Sequence, residues 1–336
     1  MKRMLRPLSV FTLLVCFAAA CSGADRPDRT GWLRDARWGV MSYYLAEIRA
    51  EVDQVPINGE RWNHLVDHFD VEAVATQLEA VGAGYYMTTL GQASGYYLAT
   101  NATYDRIVGN QPGKTARRDL VADLGTALKR RGIRLMVNFS SRAPTKDPAA
   151  VKALEWRLGP YRNREFQLKW ESVVREWSQR WGPLVSGWWF ESCNWPNSMY
   201  RHADAPNFES FAAAARSGNP DAIVAFNPGV VHRALSLTPV EDFIGGEIIR
   251  PEQWTAPQVI DGKNDGAQLH VVIDLGPAHG KGPPRFSIEE VVAFSRKVAK
   301  LGGVITWEAP VQSDGRIRPE FYAQLQAIGA AMKSAK

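Results

Sequence analysis

In this chain of 336 residues, the side chains able to do chemistry stand where apolar runs end. The stretch GWWFESCNW, residues 187 to 195, carries a lone glutamate, Glu191, directly behind two tryptophans and a phenylalanine. Asn138 falls late in IRLMVNFS, Asn227 in AIVAFNPG, Glu247 in DFIGGEII, Asp274 in LHVVIDLG and Glu308 in GGVITWEA. Tyr43 and Tyr44 fall late in RWGVMSYYL, and Gln92 follows AGYYMTTL. Carboxylates and amides gathered among aromatic residues are what sugar chemistry needs. Aromatic faces pack on pyranose rings and amides bind hydroxyls. Two carboxyl groups act on the glycosidic bond, one ionised to attack the anomeric carbon or activate water, the other protonated to release the leaving oxygen. Each residue also has a plainer reading: Glu191 can pair with a neighbouring arginine, Glu247 with Arg250, and Glu308 and Asp274 can bind substrate or brace the fold.

Other chemistries find less support. His64 and His68 stand four apart beside Asp67 with no third ligand in view, so they read as solvated or capping residues, and no metal or other cofactor is expected. Cys193 has no histidine to make it a nucleophile. Of the 12 tryptophans, half can belong to the core.

Positioning these residues requires strands that all end on one side. Eight apolar runs read as strands, at residues 37–45, 83–90, 133–140, 185–192, 222–229, 242–249, 269–276 and 302–309. Between them lie helical patterns with recognisable ends. Asp70 caps VEAVATQLEAVG, whose apolar face stops at Gly82; RDLVADLGTALKRRG stops at Gly132. SIEEVVAFSRKVAKLGG opens with Ser287 and Glu290 at capping-box spacing, and Pro319 sits in the first turn of the last helix. Eight strands alternating mainly with helices predict an α/β chain folded as a single (β/α)8 TIM barrel, which carries its active site at the C-terminal strand ends. The crossover around HRALSLTPVED has the weakest helical pattern, and residues 46–69 read as a long loop after the first strand.

The N-terminus is a different object. Lys2, Arg3 and Arg6 precede the short apolar run LSVFTLLVCFAAA, which predicts an export signal over residues 1–20, a linker over 21–31 and the barrel over 32–336. Cys21, in the context FAAAC-SG, predicts a lipid-anchored product on the membrane or cell surface, with secretion as the alternative. Losing the signal lowers the formal charge from +5 to +2, so the basic balance does not call for nucleic acid. With Cys16 in the signal and Cys21 at the lipid site, Cys193 has no evident partner and no disulfide framework is expected.

Several segments together resemble glycoside hydrolase family 29, the α-L-fucosidases. GWLRDARWGVMSYY is similar to the family's WF-x-D-A-K-F-G-I-F-I-H-W-G segment, and FDVEAVATQLEAVGAGYYMTTL to the helix and strand that lead to its T-T-K-H-H-D-G-F motif. RDLVADLGTALKRRGIRLMVNFS resembles the next helix and strand, and GGVITWEAPVQSDGRIRPEFYAQLQAIG the family's G-N-x-L-L-N-V-G-P-x-x-D-G-x-I-P ending. The resemblance implies the same barrel. It puts Glu191 where the W-F-D-G segment has its nucleophilic aspartate, and Glu247, in GGEIIRP, where one subgroup has an acid/base glutamate. It also marks departures: Tyr43 and Tyr44 replace a histidine and a tryptophan, LGQASGYY replaces the paired histidines that contact fucose, and the usual C-terminal β-sandwich has no counterpart.

The expectation is therefore an exported glycoside hydrolase with Glu191 and Glu247 as its catalytic carboxylates and a sugar specificity altered from fucose. Tyr43, Tyr44, Gln92, Tyr96, Asn138, Trp195, Asn227 and Glu308 are expected to line a carbohydrate site. The rival is a surface carbohydrate-binding protein that keeps the barrel without turnover. Nothing in the sequence indicates the oligomeric state.

Overall fold

A computed structural model describes residues 28–109, 113–193, 197–256, 258–277 and 282–333. The export segment, Cys21 and Trp195 lie outside the described residues. Eight parallel strands form one sheet: β1 (Trp38–Ser42), β2 (Tyr85–Thr89), β3 (Arg134–Ser140), β4 (Val185–Glu191), β5 (Ile223–Phe226), β6 (Glu247–Ile248), β7 (His270–Asp274) and β8 (Val304–Glu308). Their order, β5-β4-β3-β2-β1-β8-β7-β6, is that of a (β/α)8 barrel written out from one seam.

The strands read as near-continuous apolar runs because both faces are buried. Alternate residues divide between two cores. Trp38, Val40, Tyr86, Val137, Trp188 and Phe226 face the helices, whereas Met41, Tyr85, Met87, Met136, Trp189 and Ile223 fill the barrel. Leu33, on the short helix Gly31–Ala36 that precedes β1, joins the inner core. Polar groups inside are satisfied in a chain: Trp189 Nε1 donates to the Gly245 carbonyl at 2.8 Å, while His270 lies 2.9 Å from the Ile244 carbonyl and 2.7 Å from Thr306 Oγ1, which also meets the Tyr85 hydroxyl at 2.6 Å. Burial pushes His270 down to about 4, so it serves this chain as a neutral ring.

The sixth strand is the main departure from expectation: instead of 242–249 only Glu247–Ile248 forms a strand, against β7, and Phe243 adds an isolated parallel bridge to Gln268. Between β5 and β6 carboxylates partly stand in for a ladder. Asp242 donates its N–H to the Val224 carbonyl at 2.9 Å and accepts the Val224 N–H on Oδ2 at 2.8 Å, and Glu241 Oε1 accepts the Phe226 N–H at 2.6 Å. Gly246 then takes a φ of +66°, and a Cβ on Gly245 would lie 2.7 Å from the Asn227 Cα. The chain thus turns and presses against β5 before Glu247 emerges.

Residues 46–69, expected as loop, contain the helices Ala46–Val52 and Gly59–Asp67, the second capped by the Asn58 side chain. The helices Val71–Val81, Leu120–Lys129, Ile288–Lys300 and Pro319–Lys333 stand where expected, with Asp70, Asp119 and the Ser287/Glu290 capping box at their starts. Around 232–242 no helix forms among the described residues. Ten of the eleven described tryptophans are buried, Trp32 being the exception, many of them in stacked rows such as Trp177–Trp181–Trp188 on the outer face of β4. They build the core and give no sugar platform.

Candidate active site

Period-two alternation aims every second residue of a strand inward, so each strand's last inward position meets the barrel mouth. Glu191, Asp274 and Glu308 close β4, β7 and β8, and Glu247 opens the two-residue β6. Tyr43, just beyond β1, stands among them. Burial, followed by the charges of Glu191, Glu247, Asp274 and Glu308 in that order, holds its phenol well above the ordinary tyrosine range. A neutral hydroxyl is thereby kept as a donor amid carboxylates.

Glu191 is met by two amides. Gln92 Nε2 donates to Glu191 Oε2, and Asn138 Nδ2, fully buried at the inner end of β3, points at the same oxygen from 3.4 Å. Gln92 is held by a pinned loop: Lys114 Nζ donates to the Ser94 carbonyl at 2.9 Å, Ser94 Oγ to Glu47 Oε2 at 2.6 Å, and the Lys146 N–H to the Ala93 carbonyl at 2.8 Å. Burial, and next the charge of Glu247, push Glu191 up to about 8, while the Asn138 amide and the Arg142 charge pull the other way. Glu247 in turn accepts from Asn227 Nδ2 at 2.6 Å.

Glu308 is fully buried, and among the described residues neither of its oxygens has a hydrogen-bond partner beyond the pull of the Tyr43 backbone N–H. It pairs in register with Asp274, and burial followed by that neighbour's charge keeps it well above the ordinary glutamate range, hence neutral. A raised carboxyl stabilises the folded state below its unfolded pKa, and that contribution is lost as pH rises toward the folded pKa. Glu308→Gln is therefore expected to gain thermal stability relative to the parent progressively as pH rises from about 4, the ordinary glutamate value. Melting temperatures of both proteins above that pH check the slope, and a difference that stays flat contradicts the buried neutral acid.

The structure brings Tyr43, Gln92, Asn138, Glu191, Asn227, Glu247 and Glu308 to the strand ends, but two of the expected lining residues stand elsewhere. Tyr44 points outward. It is fully buried against Trp62 and Phe69, with its hydroxyl donating to the Ser313 carbonyl at 2.5 Å. Successive strand residues face opposite ways, so it could not share the mouth with Tyr43. Tyr96 has its ring centroid 6.0 Å from that of Trp62 and Lys114 Nζ 4.3 Å from its centroid, and the charge that acts on its phenol is that of Asp147. Asp274 belongs to the group, although only the strand-end rule pointed to it. Arg142 and Arg285 escaped sequence reasoning because they lie in loops. Their charges act on Glu191 and Glu308 respectively. Cys193 is buried with its thiol pushed up by burial, and no set of three or more metal-binding side chains is grouped among the described residues.

A family model described as alpha-L-fucosidase matches residues 59–336. An endo-fucoidan hydrolase of glycoside hydrolase family 107 superposes with a TM-score of 0.69 at 17% identity, over 90% of this chain and 92% of that one. The α-L-fucosidase AlfC from Lactobacillus casei gives 0.61 at 14% identity over 92% and 99%, and the Thermotoga maritima α-fucosidase 0.59 at 16% identity over 89% and 72%. No curated protein sequence matches.

Proposed function

The chain belongs to the α-L-fucosidase family and is a glycosidase, and from that premise we propose that Glu191 and Glu247 cleave a glycosidic bond in an oligo- or polysaccharide, with a specificity altered from plain fucose. One observation carries the reading: Glu247's charge is the largest cause, after burial, that raises Glu191 to about 8. A Glu191 carboxyl raised that far keeps its proton into the neutral range beside the charge of Glu247, and glycoside cleavage uses one protonated and one ionised carboxyl group.

Within that pair Glu191 attacks, as nucleophile or through a water, and Glu247 protonates the leaving oxygen. Two amide donors on one Glu191 oxygen serve an anion, and Glu247 is only partly buried at the mouth, where it can exchange protons with a leaving group or water. In the empty site the shared proton rests on Glu191. The productive arrangement moves it to Glu247, so the pH profile belongs to the pair and not to either residue. Tyr43 and the Gln92 segment supply hydroxyl-binding groups where the family resemblance calls for histidines, with the Asn138 and Asn227 amides beside them, and this supports a changed sugar. The higher TM-score with an endo-fucoidan hydrolase than with the two fucosidases supports action on a chain.

The test is a screen of aryl glycosides and of plant and algal oligosaccharides with the parent, Glu191→Gln and Glu247→Gln. Turnover by the parent alone supports the reading, and turnover that survives both substitutions overturns the assignment. Sugar binding with no turnover by the parent favours the binding protein instead. The protein is further proposed to be exported and lipidated at Cys21. Mass spectrometry of the membrane fraction should find a diacylglyceryl-modified mature N-terminus that Cys21→Ala abolishes, and unmodified secreted protein contradicts it.

A further inference from the structure

Two arginines bracket the carboxylate pair. Arg142 follows β3, and its Nη2 donates to Ser192 Oγ, on the residue after Glu191, at 2.8 Å. Arg285 donates a guanidinium N–H to the Ile249 carbonyl, two residues after Glu247, and its backbone N–H to the Leu275 carbonyl after Asp274 at 2.9 Å. Around the barrel the order is Arg142, Glu191, Asn227, Glu247, Arg285. Both side chains are partly exposed, and neither forms an ion pair among the described residues. Each guanidinium has five N–H donors. One of them is used to fix each head on a neutral oxygen, and Arg285 also lies 4.8 Å from the Phe286 ring centroid.

An arginine meant only to neutralise a buried acid would be expected to form a direct, bidentate pair with it. These two instead hold back from the four carboxylates while standing beside them. The acids of the mouth that stay ionised repel an anionic chain unless fixed cations receive its charges. Arginine's planar fork suits a sulfate ester or a carboxylate. Because the two lie on either side of Glu191 and Glu247, the charges they receive belong to sugar units flanking the bond that is cut.

Building on the hydrolase reading, we propose that Arg142 and Arg285 are anion-binding posts and that the substrate is a saccharide chain bearing anionic substituents, sulfate or carboxylate, on units either side of the cleaved bond. The probes are a sulfated fucose oligosaccharide with its desulfated counterpart, and a uronate-containing oligosaccharide with its carboxyl-reduced counterpart. Binding and kcat/KM are measured for the full chain and for Arg142→Gln and Arg285→Gln, with melting temperatures as the check on folding. The parent should prefer one charged member over its neutral partner by tenfold or more, and which pair shows the preference identifies the anion. Each substitution should lower that ratio about tenfold, mainly through KM. A ratio near one in the parent, or one unchanged in both variants, overturns the posts while leaving the hydrolase reading intact. If the parent neither binds nor cleaves any of the four, the hydrolase reading falls and the posts with it.

Discussion

Glu191→Gln is expected to lower kcat on the order of 10⁴-fold or more, as removal of an attacking group does, while the protein keeps its fold. The glutamine oxygen can still accept from the Gln92 and Asn138 amides. A carboxyl raised to about 8 by burial and by Glu247 costs stability as pH climbs above the ordinary glutamate value, so its removal does not destabilise the barrel at pH 7 to 8. The melting temperature of the variant at pH 8 should equal or exceed that of the parent. Glu191→Asp, the residue type that the family resemblance calls for here, draws the carboxylate back from both amides. A displacement of about 1 Å in a reacting group costs about 10²-fold, and the aspartate variant is expected to lose that much. Steady-state kinetics of the three proteins on one substrate checks the ranking. Equal activity of parent and glutamine variant would remove Glu191 from the reaction.

Glu247→Gln is expected to show a split by leaving group. On natural linkages, where the leaving oxygen needs a proton, the loss should be about 10² to 10⁴-fold. On an activated aryl glycoside, whose phenolate leaves unaided, most of that loss in bond cleavage should vanish. The same substitution removes the largest charge that raises Glu191, so Glu191 should ionise below its parent value of about 8. Loss of equal size on both substrate types would assign Glu247 to binding, and a leaving-group split in Glu191→Gln instead would exchange the two roles.

Much of the barrel was legible because strands buried on both faces announce themselves as apolar runs. The sixth was overread, since the run 242–249 hides the Gly246 turn and the carboxylates of Glu241 and Asp242 that replace ladder bonds to β5. The helix Gly59–Asp67 carried readable signals, an Asn58 cap and buried Trp62, Leu65 and Val66 at helical spacing, but they were masked by its shortness. At the mouth the strand-end rule found the acids and the buried amides. It failed at Tyr44, where alternation with Tyr43 already forbade a shared face. Arg142 and Arg285 were out of reach, because a loop side chain is aimed by tertiary contacts such as the Ser192 hydroxyl and the Ile249 carbonyl, and no local pattern encodes those.

Catalysis on this reading depends on one proton shared by Glu191 and Glu247, and losing that proton ends turnover. The decisive measurement is the pH dependence of kcat/KM for the parent and for Glu247→Gln on an oligosaccharide whose leaving oxygen needs a proton. The account predicts a bell for the parent with an alkaline limb near 8, where the pair loses its last proton, and for the variant a single rising limb with its midpoint below 8. Parent activity that stays level to pH 10, or the same profile in both proteins, would contradict it.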